Sequence, residues 1–248
     1  MTERRLTWDG CLNVRDLGGH PTSDVGRTRS GAVVRADSIR RLSDAGWGEL
    51  VAYGIRTVVD LRLQSEREDD PPHPPPVNIV HVPLGGDAAE DDRAAVEAAW
   101  ASGTDAADTV RTAYVELLER FRADFARAVA AIGEADEGGV LVHCYAGKDR
   151  TGLVAALLLR LVGVGLEDIA ADYALSEENL ASLLEDWIAE APEDEERQRR
   201  RRIAASPPQA MLEVLAELER RYGSVRAYLR AGGAAEVDLD RARARLLG

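Results

Sequence analysis

The chain has 248 residues, of which 45% are apolar and 30% are charged, and its formal net charge is −13. This apolar fraction supports a sizeable buried core, so the composition excludes a disordered chain. A uniformly acidic surface repels nucleic acid and anionic membranes, so neither is expected as a partner, and an anionic substrate needs a locally positive pocket.

The first half of the chain predicts strands separated by loops and one short helix. Runs of apolar and β-branched residues favour strands, and serine before a periodic segment favours a helix start. We expect, in order, a strand at 32–35, a helix at 42–53 capped by Ser43, a strand at 55–61, an extended loop forced by the prolines between 71 and 76, and a strand at 77–82.

The second half predicts mostly helices. Residues 85–109 are acidic and alanine-rich, with a helix expected around 88–100, and this segment is the best candidate for a mobile lid. One amphipathic helix is expected at 109–132, a short buried strand at 140–142, and further helices at 153–164, 166–188 and 208–222. Alternating strands and helices without an internal repeat predict a single α/β domain over residues 1–248, with a mainly parallel sheet and a helical lid insertion.

Nothing in the sequence predicts secretion or a membrane span. Residues 1–9 have no apolar run behind their arginines, and the apolar stretch 153–166 is short and interrupted by Arg160. The only cysteines are Cys11 and Cys144, which excludes a disulfide framework and a cysteine metal site. We therefore expect a cytoplasmic protein, without stable membrane insertion.

The segment His143-Cys-Tyr-Ala-Gly-Lys-Asp-Arg-Thr-Gly152 carries the chemistry. A cysteine followed six residues later by an arginine is weak evidence in a chain with 30 arginines, but the only lysine, Lys148, also lies in this segment. A strand is expected to end at His143 and a helix to open at Thr151. That arrangement points backbone N–H groups and the positive end of a helix at one spot, so a phosphate or sulfate should bind there.

Residue types in this loop fit covalent phosphate chemistry. The positive field favours the thiolate of Cys144 as a nucleophile. Arg150 should hold two phosphoryl oxygens in a bidentate fork, Gly147 permits the tight turn, and Thr151 offers a hydroxyl to the sulfur. The expected phosphate-binding residues are Tyr145, Ala146, Gly147, Lys148 and Thr151.

This loop resembles the active-site loop of the protein tyrosine phosphatase superfamily, and most closely its bacterial atypical group, which accepts phosphotyrosine, phosphoserine or phosphothreonine, and phosphoinositides. The resemblance implies a tyrosine-phosphatase-like α/β fold and a two-step mechanism that needs no metal or other cofactor. Further matches to the group are Asn13 to Gly19 (NVRDLGG), Asp60 to Arg62 (DLR), Asp172-Tyr173 with Ser176 and Asn179, and Tyr222 to Ser224 with Tyr228-Leu229.

The general acid is the one departure from the family pattern. Most tyrosine phosphatases take it from an aspartate about thirty residues before the cysteine, but here that interval is predicted to be helix, with Asp124 on its solvent face. Asp149, inside the loop, is the first alternative. Asp60, at a strand end, is the second, although it also suits a structural ion pair with Arg15 or Arg62, and Asp87 in the lid is the third.

Lys148 bears on the substrate. A second cation in the loop suits a ligand with more than one phosphate, so we expect phosphorylated proteins or phosphoinositides as substrates. Two other classes remain open: a phosphatase-like module that binds phosphorylated partners without turnover, and a rhodanese-like sulfurtransferase. The histidines lack ligand spacing, so no metal site is predicted. Cys11 is expected to be an ordinary thiol, with a redox pairing to Cys144 as the alternative.

Overall fold

The computed structural model describes residues 4–23, 26–68, 70, 77–86 and 88–248. Five strands form the central sheet, in the order β1-β4-β7-β5-β6, and a separate two-stranded ladder joins β2 to β3. The β4-β7, β7-β5 and β5-β6 pairs are parallel and β1-β4 is antiparallel, which confirms the predicted mainly parallel sheet. In chain order the strands are β1 (Arg15–Asp16), β2 (Pro21–Thr22), β3 (Gly26–Arg27), β4 (Val33–Ala36), β5 (Ile55–Asp60), β6 (Asn78–His81) and β7 (Gly139–His143).

Helices cover both faces of the sheet. The helix α1 is capped as predicted by Ser43, whose side chain accepts the N–H of Gly46. The helices in the described part of the chain are α1 (Asp44–Ala52), α2 (Glu90–Ser102), α3 (Ala106–Arg120), α4 (Arg122–Glu134), α5 (Asp149–Leu161), α6 (Leu166–Asn179), α7 (Ala181–Ala189), α8 (Asp194–Ala204), α9 (Pro208–Tyr222), α10 (Val225–Ala231) and α11 (Glu236–Leu247).

Alternation along the strands divides the core into two clusters. Val33, Val59 and Val142 pack against the large helical layer that includes α4, α5 and α9. Their neighbours Val34, Val58 and Leu141 face the other way, towards α1. Successive side chains of a strand point to opposite faces, so this pattern requires a sheet that is buried on both sides.

The parallel register brings three strand ends together. His143 at the end of β7 pairs with Ala36 of β4 on one side and with Asp60 of β5 on the other. The residues that follow these strands therefore meet at one edge of the sheet, where ligands bind in open α/β folds. Cys144 is the first residue beyond the central strand.

Two helix predictions need correction. The segment 109–132 is not one helix, because α3 ends at Arg120 and α4 begins at Arg122, with Phe121 between them in a non-helical conformation. Likewise 166–188 divides at the buried residue Leu180 into α6 and α7. Neither break carries a glycine or proline, and the apolar spacing continues across both, so periodicity could not locate them.

The predicted lid helix is present as α2, which packs beside α3. Whether it moves stays a prediction. The prolines of the expected extended loop lie outside the described residues. Among the described helices, none combines the length and apolarity needed to cross a bilayer.

Candidate active site

The loop between β7 and α5 has the strand-loop-helix form that the sequence predicts, although the helix starts at Asp149, two residues earlier than expected. Cys144 is 2% exposed and lies at the base of the loop. Tyr145, by contrast, is 44% exposed on the rim, with the Arg41 guanidinium 5.9 Å from its ring centroid. The segment thus combines a recessed sulfur with an open entrance.

The carbonyls of residues 145–147 all bond to groups outside the loop. The Ser38 N–H donates to Tyr145 O at 3.0 Å, and the Asn13 amide donates to Ala146 O and Gly147 O, each at 3.2 Å. Arg35 adds a bond of 2.8 Å to Gly147 O. Because the peptide carbonyls point outward, the N–H groups of the same peptides point to the concave side.

Gly147 has to be glycine for two independent reasons. Its φ is +66°, and a Cβ on its backbone would lie 2.3 Å from Ala36 O. An alanine would therefore meet both conformational strain and a clash with the neighbouring strand. The tight turn predicted from the sequence is confirmed.

The groups that hold the loop are themselves fixed by a buried aspartate, Asp172 on α6. Its carboxylate pairs with Arg35 at 2.9 Å, Arg15 at 3.2 Å and Arg4 at 2.9 Å. Arg15 in turn donates to Asn13 Oδ1 at 2.6 Å. Burial alone would raise the pKa of Asp172, but the arginines outweigh it and hold that pKa well below its usual range. Asp172 therefore stays charged and orients both loop anchors.

Arg150 extends its fork to Glu66, which follows β5 in a short 3-10 helix. Its NH1 lies 2.6 Å from Oε2 and its NH2 lies 2.7 Å from Oε1. Glu66 also accepts the N–H of Leu63 at 2.7 Å, so the carboxylate is fixed from two directions. This end-on pair uses the terminal nitrogens and leaves the Nε edge of the guanidinium for another anion.

Asp149, the first alternative for the general acid, lies beside the loop with its side chain 30% exposed. Tyr114 of α3 donates to its Oδ1 at 2.7 Å, and the Lys148 ammonium lies 3.3 Å from the same oxygen. Burial, followed by the charge of Asp149, raises the pKa of Tyr114 well above its ordinary value, so this hydroxyl remains a donor. One carboxylate oxygen of Asp149 is thereby fixed by two partners.

The structure directs the Lys148 side chain away from the concave side of the loop. Its ammonium bonds to Ile203 O at 2.5 Å and Ala205 O at 3.0 Å, at the C-terminal end of α8. Cations are stabilised at helix C-termini by the unpaired carbonyls there. The expected second phosphate-binding ammonium thus caps a helix in this structure, and only its backbone N–H belongs to the loop.

Thr151 and His143 complete the inner wall. Thr151 Oγ1 is buried and has no hydrogen-bond partner within the described ranges, the Cys144 sulfur included, so its role towards the sulfur stays a prediction. His143 Nδ1 lies 3.0 Å from Cys144 O. Burial lowers the pKa of His143, which favours the neutral ring and an orienting role.

Asp60 forms the kind of buried ion pair that its structural alternative predicts. Arg62 binds both oxygens, at 3.0 and 2.8 Å, and Arg67 lies 3.2 Å from Oδ2. Although burial raises the pKa of Asp60, the hydrogen bonds and the charge of Arg62 hold it below its ordinary value. A buried carboxylate with these partners is a poor proton donor. The partner is Arg62, whereas Arg15 pairs with Asp172.

The remaining residues considered are Asp124, Asp87 and Cys11. Asp124 is not on a solvent face, since it is 18% exposed and accepts the N–H of Gly85 at 2.8 Å. Asp87 lies outside the described residues. Burial, with the charge of Asp37, raises the pKa of Cys11, so its thiol is protonated and ill suited to redox pairing.

Comparison with known proteins agrees with this geometry. A model of the tyrosine phosphatase family matches residues 6–248. The chain belongs to the tyrosine phosphatase family. It is therefore a cysteine-based protein phosphatase, as the loop at Cys144 predicts.

Three relatives cover most of the chain. A tyrosine-protein phosphatase of Nostoc commune is 30% identical, covering 87% of this chain and 74% of the relative. The triple specificity protein phosphatase PtpB of Mycobacterium tuberculosis is 30% identical, covering 96% and 98%. A putative tyrosine-protein phosphatase of Cupriavidus necator is 29% identical, covering 98% and 88%.

Sequence reasoning missed several residues of this tyrosine phosphatase site. Asn13 and Asp172 match the family pattern without a role that the sequence reveals, and nothing in the sequence singles out Arg35 or Tyr114. Only Glu66 has a local signal, because it follows the DLR segment by four residues. The contacts of Asn13, Arg35 and Tyr114 with the loop and with α5, and those of Asp172 with the arginines, join positions more than twenty residues apart. No local pattern reveals such contacts.

Replacing Asp172 by asparagine should destabilise the fold by about 3–5 kcal/mol, because it leaves a buried arginine cluster without its counter-charge. The measurement is urea unfolding at neutral pH. An aspartate whose pKa is lowered by folding contributes stability above its unfolded pKa of about 3.9. That contribution is lost as the pH falls through the folded value, so wild type and D172N should converge in strong acid. Equal stability at neutral pH would contradict the role of Asp172.

Proposed function

We propose that this tyrosine phosphatase hydrolyses phosphomonoesters through a cysteinyl-phosphate on Cys144, without a metal, and that its substrates include phosphotyrosine and phosphoinositides. The observation that carries this proposal is the outward anchoring of the carbonyls of residues 145–147. It supplies N–H donors at the N-terminus of α5, above a recessed cysteine. Such a cradle stabilises the charge that develops on a transferred phosphoryl group.

In the first step the Cys144 sulfur attacks phosphorus in line. A sulfur–phosphorus bond forms as the bond from phosphorus to the leaving oxygen breaks. Arg150 and the loop amides hold the equatorial oxygens, and Glu66 keeps the guanidinium in place by its bidentate pair. Asp149, protonated on Oδ2 while Oδ1 accepts from Tyr114, gives its proton to the leaving oxygen.

In the second step water attacks the phosphocysteine. Asp149, now ionised, takes a proton from that water, and the sulfur leaves as a thiolate. The unpaired hydroxyl of Thr151 can donate a hydrogen bond to the departing sulfur. Inorganic phosphate is released, and the enzyme returns to its starting state.

The wider substrate range has one support and one structural requirement. The relative PtpB is named for triple specificity, and it aligns with nearly the whole of this chain. The loop also carries Lys148, whose ammonium can reach a second phosphate only by exchanging its contacts with the α8 carbonyls. Phosphoinositide turnover therefore requires movement at the end of α8.

The Cys144→Ser variant should lose all measurable hydrolysis of p-nitrophenyl phosphate, because serine lacks the thiolate nucleophile. Wild-type activity should be inhibited by vanadate and unaffected by EDTA. The Cys11→Ser variant is the matched control and should retain activity. Loss of activity with EDTA would contradict the proposal, and phosphopeptide capture by an inert wild type would indicate a binding module instead.

The Asp149→Asn variant should affect substrates differently, according to whether their leaving group needs a proton. p-Nitrophenol leaves as a stable anion, whereas tyrosine and inositol need a proton, so kcat should fall about 100-fold for phosphotyrosine and much less for p-nitrophenyl phosphate. The control is Asp136→Asn, at an exposed residue after α4. An equal loss on both substrates would show that Asp149 does not act as the acid.

The Lys148→Ala variant tests the phosphoinositide proposal. We expect the ratio of phosphoinositide to phosphotyrosine turnover to fall about 10-fold, because a charge-assisted contact to the second phosphate is lost. The measurement is phosphate release from each substrate by the same preparation. An unchanged ratio would remove Lys148 from substrate recognition.

A further inference from the structure

A second cavity, of about 460 Å³, opens at the same edge of the sheet as the catalytic loop but does not include Cys144 or Arg150. This volume is within the usual range for a ligand site. It lies between α1, the start of β6 and the segments that follow β4 and β5. We call it the Arg40 pocket. Its lining residues are Ile39, Arg40, Leu42, Asp44, Trp47, Asp60, Arg62, Arg67, Asp70 and Ile79.

One wall of the Arg40 pocket is shared with the support of the catalytic loop. Asp60 lines the pocket and lies 3.5 Å from His143, the residue before Cys144. Arg62, also in the lining, donates to Ser38 Oγ at 3.2 Å, and the Ser38 N–H holds Tyr145 O. The pocket therefore adjoins the loop from the side of β4 and β5, where it can receive another part of a bound substrate.

Most charges in the pocket already have partners. Arg62 binds Asp60 at 2.8 Å and Asp70 at 2.6 Å, and Arg67 completes the neutralisation of Asp60. Asp44 is exposed in the first turn of α1, where the helix dipole favours a negative charge. These carboxylates therefore need no cation from a ligand.

Arg40 is the exception. Its side chain is half-buried, and in the part of the chain that the structure describes its guanidinium has neither a hydrogen-bond nor an ion-pair partner. Arg67, by contrast, is committed to the protein, since its Nε lies 3.2 Å from Asp60 Oδ2. An unpaired guanidinium in a partly desolvated site favours an anion that can accept from it. The floor of the pocket is apolar and is formed by Ile39, Leu42, Trp47 and Ile79.

We infer that the Arg40 pocket binds residues that flank the phosphorylated residue of an acidic protein substrate, with a carboxylate on Arg40 and an apolar side chain on the floor. This inference rests on the proposed phosphatase activity. The pocket carries both positive and negative side chains above an apolar floor, which suits a peptide. The backbone N–H groups of the peptide can donate hydrogen bonds to Asp44. A polyphosphate carries several negative charges near Asp44, so Asp44 disfavours it more strongly than a ligand with a single carboxylate.

The test compares phosphotyrosine peptides that carry one glutamate, moved stepwise along the positions on either side of the phosphotyrosine, with the matching glutamine peptides. For at least one position, wild-type kcat/KM should be about 10-fold higher with glutamate than with glutamine. Arg40→Gln should abolish that preference and leave p-nitrophenyl phosphate turnover within about two-fold of wild type. The control is Arg241→Gln on α11, which should change neither.

Three outcomes would overturn the inference: no glutamate preference at any position, a preference that survives in Arg40→Gln, or an Arg40 effect seen only with a soluble inositol bisphosphate. Peptide binding to the Cys144→Ser variant, with and without Arg40→Gln, reports on the pocket without turnover. If wild type hydrolyses none of these substrates but the glutamate peptides bind more tightly, the proposed function fails and the pocket assignment stands.

Discussion

A loop can present several N–H groups to one anion only if the carbonyls of the same peptides find partners elsewhere, because a buried unpaired carbonyl is costly. In this protein those partners are Asn13, Arg35 and the backbone of Ser38. Asn13 precedes β1, Arg35 lies in β4 and Ser38 follows β4. Asp172, on a helix far along the chain, fixes two of them. The loop geometry thus depends on a network that lies on the carbonyl side of the loop.

The distribution of cations at the site follows from the same need to pair buried groups. Three of the nearby cations are committed to protein groups: Arg35 and Arg15 to Asp172, and Lys148 to the end of α8. Arg150 is paired as well, but with Glu66 through its terminal nitrogens only. It is therefore oriented and still has a free edge for a phosphate. The pair also means that Arg150 is not an uncompensated buried charge before a phosphate binds.

The sequence predicted the parts of this site that depend on local pattern. The β7 strand, the turn at Gly147 and the helix α5 are contiguous. The residue types of each segment favour one local structure: a strand, a tight turn and a helix, in that order. The direction of Lys148 could not be predicted, because it depends on where α8 ends in space. The sequence left Asp60 with two alternative roles, general acid or ion-pair partner, for the same reason. The ion pair depends on where Arg62 lies in space. The breaks near Phe121 and Leu180 were missed because apolar spacing continues across them.

We propose that the anchored loop directs phosphoryl transfer to the sulfur of Cys144. Rapid acid quenching of the enzyme during turnover, followed by mass spectrometry of the peptide that contains Cys144, tests it most directly. We expect one phosphoryl group on that peptide, joined through sulfur and absent from the Cys144→Ser variant. Phosphate joined to an aspartate or histidine, or turnover without any phosphoenzyme, would contradict the claim.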